Sequence, residues 1–132
     1  MRQPLRRVIV LVVLITGVTK AEDWPTYRHD NGRTGVTTER LTLPLSPLWT
    51  IVPVHKPVPS WPTPGARERP RVHFDDVFHV AIVDNTVFFG SSATGAVRAF
   101  DAITGTNLWT FLAGGAVRLA PAVWERRVYV TS

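Results

Sequence analysis

The chain has 132 residues, of which 45% are hydrophobic and 19% charged, and a formal net charge of +5. This composition is typical of one globular domain and excludes an intrinsically disordered protein. Cysteine is absent, which excludes disulfides, thiolate metal sites and the lipid-bearing cysteine of a bacterial lipoprotein.

The N-terminus predicts a secretory signal peptide over residues 1–21. Three arginines precede an apolar run from Val8 to Val18, and small residues stand at the cleavage positions. An apolar run of 11 residues is short of the roughly 20 that cross a bilayer as a helix. We expect cleavage after Ala21 and no membrane span afterwards, and an uncleaved membrane anchor is the alternative.

The predicted signal peptide also carries most of the excess positive charge. It contains four of the 15 Lys and Arg residues and none of the 10 Asp and Glu residues, which leaves 11 minus 10, or +1. So small a charge gives no support to a nucleic-acid partner. We therefore expect an exported protein, periplasmic or extracellular, that does not bind nucleic acid.

A proline-rich and arginine-rich insertion is expected at about 53–75. Each proline removes a backbone donor, so the prolines of this stretch disfavour a continuous strand and indicate an elaborated surface loop. Three alternating arginines lie either in solvent or against an anionic partner: Arg67, Arg69 and Arg71.

Short β-strands are expected in the rest of the chain, because β-branched and aromatic runs alternate with turn residues. The Asp84-Asn85 pair tolerates positive φ and suits a hairpin turn. The first four strands are expected at 79–83, 86–90, 96–101 and 107–111. A fifth and a sixth are expected after the Gly114-Gly115 break, at 119–124 and 127–131.

Two pairs of similar segments indicate an internal repeat. Residues 83–92 align with residues 123–132 at an offset of 40, and both copies join a polar turn to a strand. Leu48-Trp49-Thr50 recurs as Leu108-Trp109-Thr110 at an offset of 60, which is one period and an excess of 20 that the insertion explains.

The sharpest motif runs from Ala99 to Trp109, and each marked position has a structural task. Ala99 is small where adjacent sheets approach. Asp101 can accept hydrogen bonds from the following turn, Thr104 can reinforce that turn, and Gly105 allows a backbone conformation that a Cβ would oppose. Trp109 offers a flat ring to a neighbouring sheet, where its burial is worth about 2–4 kcal/mol.

The pattern Ala-x-Asp-x-x-x-Gly-x-x-x-Trp resembles the tryptophan-docking repeat of pyrroloquinoline quinone (PQQ) β-propellers, which exported BamB-like proteins share. Segment 114–123 is similar to the entry into a following blade, and segment 24–35 to the lead-in before a first blade. The resemblance implies an all-β chain with a lead-in over 22–47 and four-stranded antiparallel propeller blades over 48–132.

Such propellers have about seven or eight blades, so the chain would hold about one full blade and parts of two others. Repeats of this kind bury their faces against neighbours, and roughly three are needed for stability. We therefore expect an N-terminal fragment of a longer protein, with the remaining blades of the same propeller among its partners.

Catalytic, cofactor-binding and metal-binding residues are not assigned from the sequence. The Asp75-Asp76 pair either holds a hard cation or lies in a solvated loop, and the second is favoured. Ser91, Ser92 and Thr94 have no accompanying base for nucleophilic catalysis. Four histidines are spaced too irregularly for a helix-face metal site: His29, His55, His73 and His79.

Two functions follow from the resemblance. The first is a non-enzymatic propeller that binds or scaffolds protein partners in the cell envelope and needs no cofactor within this chain. The alternative is a fragment of a PQQ-dependent dehydrogenase, in which PQQ and calcium would be held by residues beyond Ser132. The complete docking motif, in a chain without a catalytic constellation, favours the first.

Overall fold

The computed structural model describes residues 21–60, 65–67 and 76–132. Residues 1–20 of the predicted signal peptide, and 61–64 and 68–75 of the predicted insertion, lie outside the described residues. The described residues contain six β-strands and no helix, which confirms the all-β prediction.

Four strands form one antiparallel sheet in chain order: β1 (Val80–Val83), β2 (Thr86–Gly90), β3 (Ala96–Asp101) and β4 (Asn107–Leu112). A separate hairpin consists of β5 (Ala122–Trp124) and β6 (Arg127–Tyr129). All six strands lie where the sequence predicts them, with ends that differ by at most three residues. The largest difference is at β5, which begins after the buried Pro121, because proline cannot donate to a strand ladder.

Both hairpins turn through two residues with positive φ. The φ angles are 49° and 57° at Asp84 and Asn85, and 46° and 62° at Glu125 and Arg126. Such turns match the right-handed twist of the flanking strands, and the predicted Asp84-Asn85 turn is confirmed. β2 begins at 86 and β6 at 127, so the structural repeat is 41 residues at this hairpin and the sequence offset of 40 is one residue short.

One face of the four-stranded sheet is covered by the second hairpin. Ala81, Phe88 and Ala99 form a buried cluster on this face. Ala81 and Ala99 have no exposed surface, so their small side chains let the hairpin approach closely. The partly buried side chains that pack against the cluster are Val83, Val123 and Val128.

The opposite face of the sheet lies across from segment 49–53 of the chain. A cavity of about 290 Å³ separates the two. Its walls are apolar apart from Thr50 and Arg98, and its remaining lining residues are Trp49, Ile51, Pro53, Val80, Val87, Phe89 and Phe100. Both faces of the sheet are therefore covered by other parts of the chain.

The lead-in joins the two sheets through its backbone. Trp24 exchanges two hydrogen bonds with Ile82 of β1, with N···O distances of 2.6 and 2.9 Å. The next carbonyl, that of Pro25, accepts from the N–H of Val123 in β5 at 2.8 Å. Residues 24 and 25 therefore lie between the first strands of the two sheets, a pairing that the sequence does not predict.

The connection from β4 to β5 folds back over the turn between β2 and β3. The N–H of Ala113 donates to Gly95 O at 2.8 Å, and that of Val117 donates to Ser91 O at 3.3 Å. Val117 is buried against Gly90, where a Cβ would lie 2.6 Å from the Val117 Cγ1 atom. Glycine at position 90 is therefore required by the close approach of this connection.

Candidate functional site

The turn that follows β3 is held by the side chain of Asp101. Its Oδ1 atom accepts from the N–H of Ile103 at 3.0 Å, and from the N–H and the hydroxyl of Thr104 at 2.7 and 3.0 Å. Hydrogen bonds to the ionised carboxylate, first that from the Thr104 N–H, lower the pKa of Asp101. The turn is therefore preformed by the residues that the motif marks.

Gly105 closes this turn in the left-handed region, with φ of 71°. Its N–H donates to Asp101 O at 2.8 Å, and the N–H of Asp101 donates to Thr106 O at 2.9 Å. The N–H of Ala102 donates to Asn85 O at 2.8 Å, which ties this turn to the β1–β2 turn. The two turns form one surface at this end of the sheet.

Trp49 binds to that surface. Its Nε1 atom donates a hydrogen bond to Ala102 O at 2.9 Å, and its ring lies against Gly105. A Cβ on Gly105 would come within 2.8 Å of the ring atom Cδ2, so only glycine leaves room for the ring. The motif predicts the shape of the turn but not its partner. In the structure that partner is Trp49, which lies 53 residues before Ala102 in the chain.

The remaining motif residues lie apart from this contact. Ala99 is in the buried cluster that faces the second hairpin. Trp109 lies beside Phe88, with ring centroids 6.0 Å apart, and remains 40% exposed. It lines an open apolar cavity of about 450 Å³ with Val97, Phe111, Val128 and Val130. Burial of Trp109 by a further sheet stays a prediction.

A second concave region lies between the lead-in and β5. This cleft of about 590 Å³ is lined by acidic residues that include the Glu22-Asp23 pair, which sequence reasoning missed. His29 lies in it, with Nε2 3.3 Å from Glu22 Oε1 and Nδ1 3.8 Å from Asp30 Oδ2. The adjacent acidic residues Glu22 and Asp23 are the only signal for this site that the sequence contains.

The carboxylates of the cleft are engaged by the lead-in itself. The hydroxyl of Thr37 donates to Glu22 and lowers its pKa, and the hydroxyl of Thr34 does the same for Asp30. The N–H of Thr38 also donates to Glu22, at 3.3 Å. These contacts fold residues 22–38 into a compact loop, so the acidic side chains have a structural role.

The buried hydroxyl groups of Ser91 and Ser92 accept hydrogen bonds that fix the position of nearby loops. Ser91 Oγ accepts from the N–H of Thr94 at 3.2 Å, and Ser92 Oγ accepts from the N–H of Val58 at 2.9 Å. Val58 belongs to the predicted insertion, and its carbonyl also accepts from the guanidinium of Arg118. The first part of the insertion is therefore fixed to the same end of the sheet as the β4–β5 connection.

The other candidates for chemistry are dispersed. His55, Arg67 and Asp76 are exposed, and His79 packs edge-on against Tyr27 at 5.7 Å. His73, Asp75, Arg69 and Arg71 lie outside the described residues. Within the described ranges, no group of three or more His, Cys, Asp or Glu side chains is placed to hold a metal ion.

The described part of the chain has no helix with the length and apolar character needed to span a membrane. Protein-family models, curated proteins and solved structures were each compared with the chain, and none of them matches it.

Proposed function

We propose that the chain is part of an exported β-propeller repeat protein of the PQQ-like, BamB-like type, which binds or scaffolds protein partners in the cell envelope. The contact of Trp49 with Ala102 and Gly105 carries this proposal. Trp49 and Trp109 are each the central residue of a Leu-Trp-Thr triplet. The sequence therefore repeats the same docking side chain from one sheet to the next. Sheets that dock through a repeated ring stack side by side, which is how propeller blades pack.

The packing of the sheet faces also supports the proposal. Segment 49–53 lies on one side of the four-stranded sheet, and the β5–β6 hairpin lies on the other. The Val123 and Val128 side chains of the hairpin face the sheet, as a second blade would face the first. A fold built from stacked sheets presents its loops at two ends, where partners bind.

A binding role is favoured over catalysis by the use of the polar side chains. Ser91, Ser92 and Asp101 hold turns, and the acidic residues of the lead-in cleft hold the lead-in. A quinone or a calcium ion needs several free oxygen ligands converging on one point. We therefore assign no residue of the described chain to PQQ or calcium.

Export is tested by fusing alkaline phosphatase, which is active only outside the cytoplasm, to Ser132. We expect high activity from the wild-type fusion and more than a tenfold loss after L11R/L14R, because two charges interrupt the apolar run. The exposed Val36 gives the control V36R, which should keep full activity. Activity that survives L11R/L14R would count against the signal peptide.

Partner binding is tested by cross-linking the chain in intact envelopes and identifying the attached proteins. A scaffold should yield one or a few near-stoichiometric partners that G105V loses, because this substitution removes the Trp49 contact. The alternative is tested on the full-length protein, because its PQQ and calcium would be held by residues beyond Ser132. That protein is mixed with PQQ, calcium and an alcohol or sugar, and turnover is read by dye reduction. Quinone-dependent turnover without a stoichiometric partner would replace the proposal with the dehydrogenase.

A further inference from the structure

The outer edge of β4 is open in the described structure. β4 pairs only with β3 there, so half of its backbone donors and acceptors point away from the sheet. All six of its residues are exposed, and none is charged or proline. Edge strands in stable monomers usually carry charged residues or proline, which prevent pairing with another chain.

The sequence of β4 is chemically symmetric about Thr110. Reading outward from this residue, an aromatic residue and then a leucine follow on each side: Leu108-Trp109-Thr110-Phe111-Leu112. An antiparallel pair of two β4 strands centred on Thr110 sets Trp109 opposite Phe111 of the second copy, twice. Aromatic pairs of this kind are among the favourable cross-strand pairs.

The faces of the sheet agree with this register. Trp109 and Phe111 lie opposite Ala99 and Val97 of β3, on the face of the buried cluster, and Thr110 lies opposite Arg98 on the other face. A two-fold axis through Thr110 and perpendicular to the sheet keeps each face continuous across both copies. A register shifted by one residue would pair side chains from opposite faces.

Two further features favour this edge over others. The irregularity in the β3–β4 pairing falls at Leu108, outside the three central residues, so the pairing remains regular from Trp109 to Phe111. The other free edge of the described strands, that of β6, follows Arg126 and begins with Arg127. Two β6 strands would bring like charges together, which β4 avoids.

We propose that two copies of this chain pair through β4, antiparallel and centred on Thr110, to form one continuous eight-stranded sheet. The pairing uses the backbone edge of β4 and not the Trp49 contact, so its test does not decide whether the proposed propeller is correct.

The register is tested with single cysteines, because the wild-type chain has none. In T110C, the two sulfurs meet across the axis, where the Cα–Cα distance of about 4.5–5.5 Å allows a disulfide. We expect more than half of T110C to become a cross-linked dimer under mild oxidation. L112C is the matched control, since its copies lie about 13 Å apart and should remain below a tenth cross-linked.

The mass of the full chain in solution, measured by sedimentation, gives a second readout. We expect a dimer for the wild type and at least a tenfold weaker dimer for T110K, because two ammonium groups face each other. T50K, in the matching Leu-Trp-Thr triplet, is the control and should dimerise normally.

Three results would overturn the proposal. They are a wild-type chain that stays monomeric, a T110C chain that cross-links no better than L112C, and a mixture in which T110C joins T50C in preference to itself. The last result would indicate that segment 48–52 of another copy is the occupant of the β4 edge.

Discussion

The ring of Trp49 lies so close to Gly105 that its Cδ2 atom is 2.8 Å from the position of a Cβ on that glycine. The same glycine has a φ of 71°, which a side chain disfavours. Two independent constraints therefore select glycine at one position. One comes from the turn itself, and the other from a residue that is distant in the sequence.

G105A should destabilise the chain by about 2–4 kcal/mol, since it combines the cost of positive φ with a clash against the ring. Urea unfolding followed by circular dichroism measures this change. G114A is the matched control, because no heavy atom lies within 4 Å of a Cβ at Gly114. Equal effects of the two substitutions would show that the Trp49 contact does not contribute.

W49F should cost about 1–2 kcal/mol of unfolding free energy, because it leaves the carbonyl of Ala102 without the donor at 2.9 Å. W49A should cost about 3 kcal/mol or more, since the ring contact is also lost. The exposed Trp124 provides the control W124F, with an expected change below about 0.5 kcal/mol. If W49F matched W124F, the hydrogen bond to Ala102 would have no measurable value.

G90A and V117A should compensate each other. A Cβ on Gly90 would lie 2.6 Å from Val117 Cγ1, so G90A should cost about 1–3 kcal/mol. V117A alone should cost about 1–3 kcal/mol, because it opens a cavity at a side chain that is 2% exposed. The double variant should be at least about 1 kcal/mol more stable than the sum predicts, and strict additivity would contradict the contact.

The stability of the fold should fall in acid, in part through Asp101. Its pKa is lower in the folded chain than the ordinary 3.8, so the unfolded chain binds more protons as the pH falls. The stabilisation is present above the ordinary pKa and is lost as the pH falls through the folded value. D101N should flatten the loss of unfolding free energy below about pH 5. T104V keeps the backbone donor and should flatten it less. An unchanged acid profile in D101N would count against this assignment.

Local patterns made the strands predictable. Each strand of the first sheet joins β-branched or aromatic residues to a turn of Asp, Asn, Ser, Thr or Gly, and these signals lie within a few neighbouring residues. The repeat offset was less secure, because alignment by shared residues matched Val83 with Val123. The turns instead match Asp84 with Glu125, and turn geometry determines the register.

Contacts between segments that are distant in the chain could not be predicted from local sequence patterns. The motif indicated that a tryptophan would dock, but nothing local connects Trp49 with Ala102. The backbone pairing of Trp24 with Ile82 has no side-chain pattern at all, since Trp24 is followed by proline and then by a turn. Main-chain hydrogen bonds do not determine which residues occur, unless the strand is long enough to show alternating apolar and polar side chains.

The position of the lead-in has a consequence for the order of folding. Trp24 bonds to a residue 58 positions later, and Pro25 to one 98 positions later. Closing loops of that length is slow compared with forming the two hairpins, each of which needs only neighbouring residues. Residues 24 and 25 precede all six strands in the chain, but they are expected to pair last, after both strands that receive them have formed.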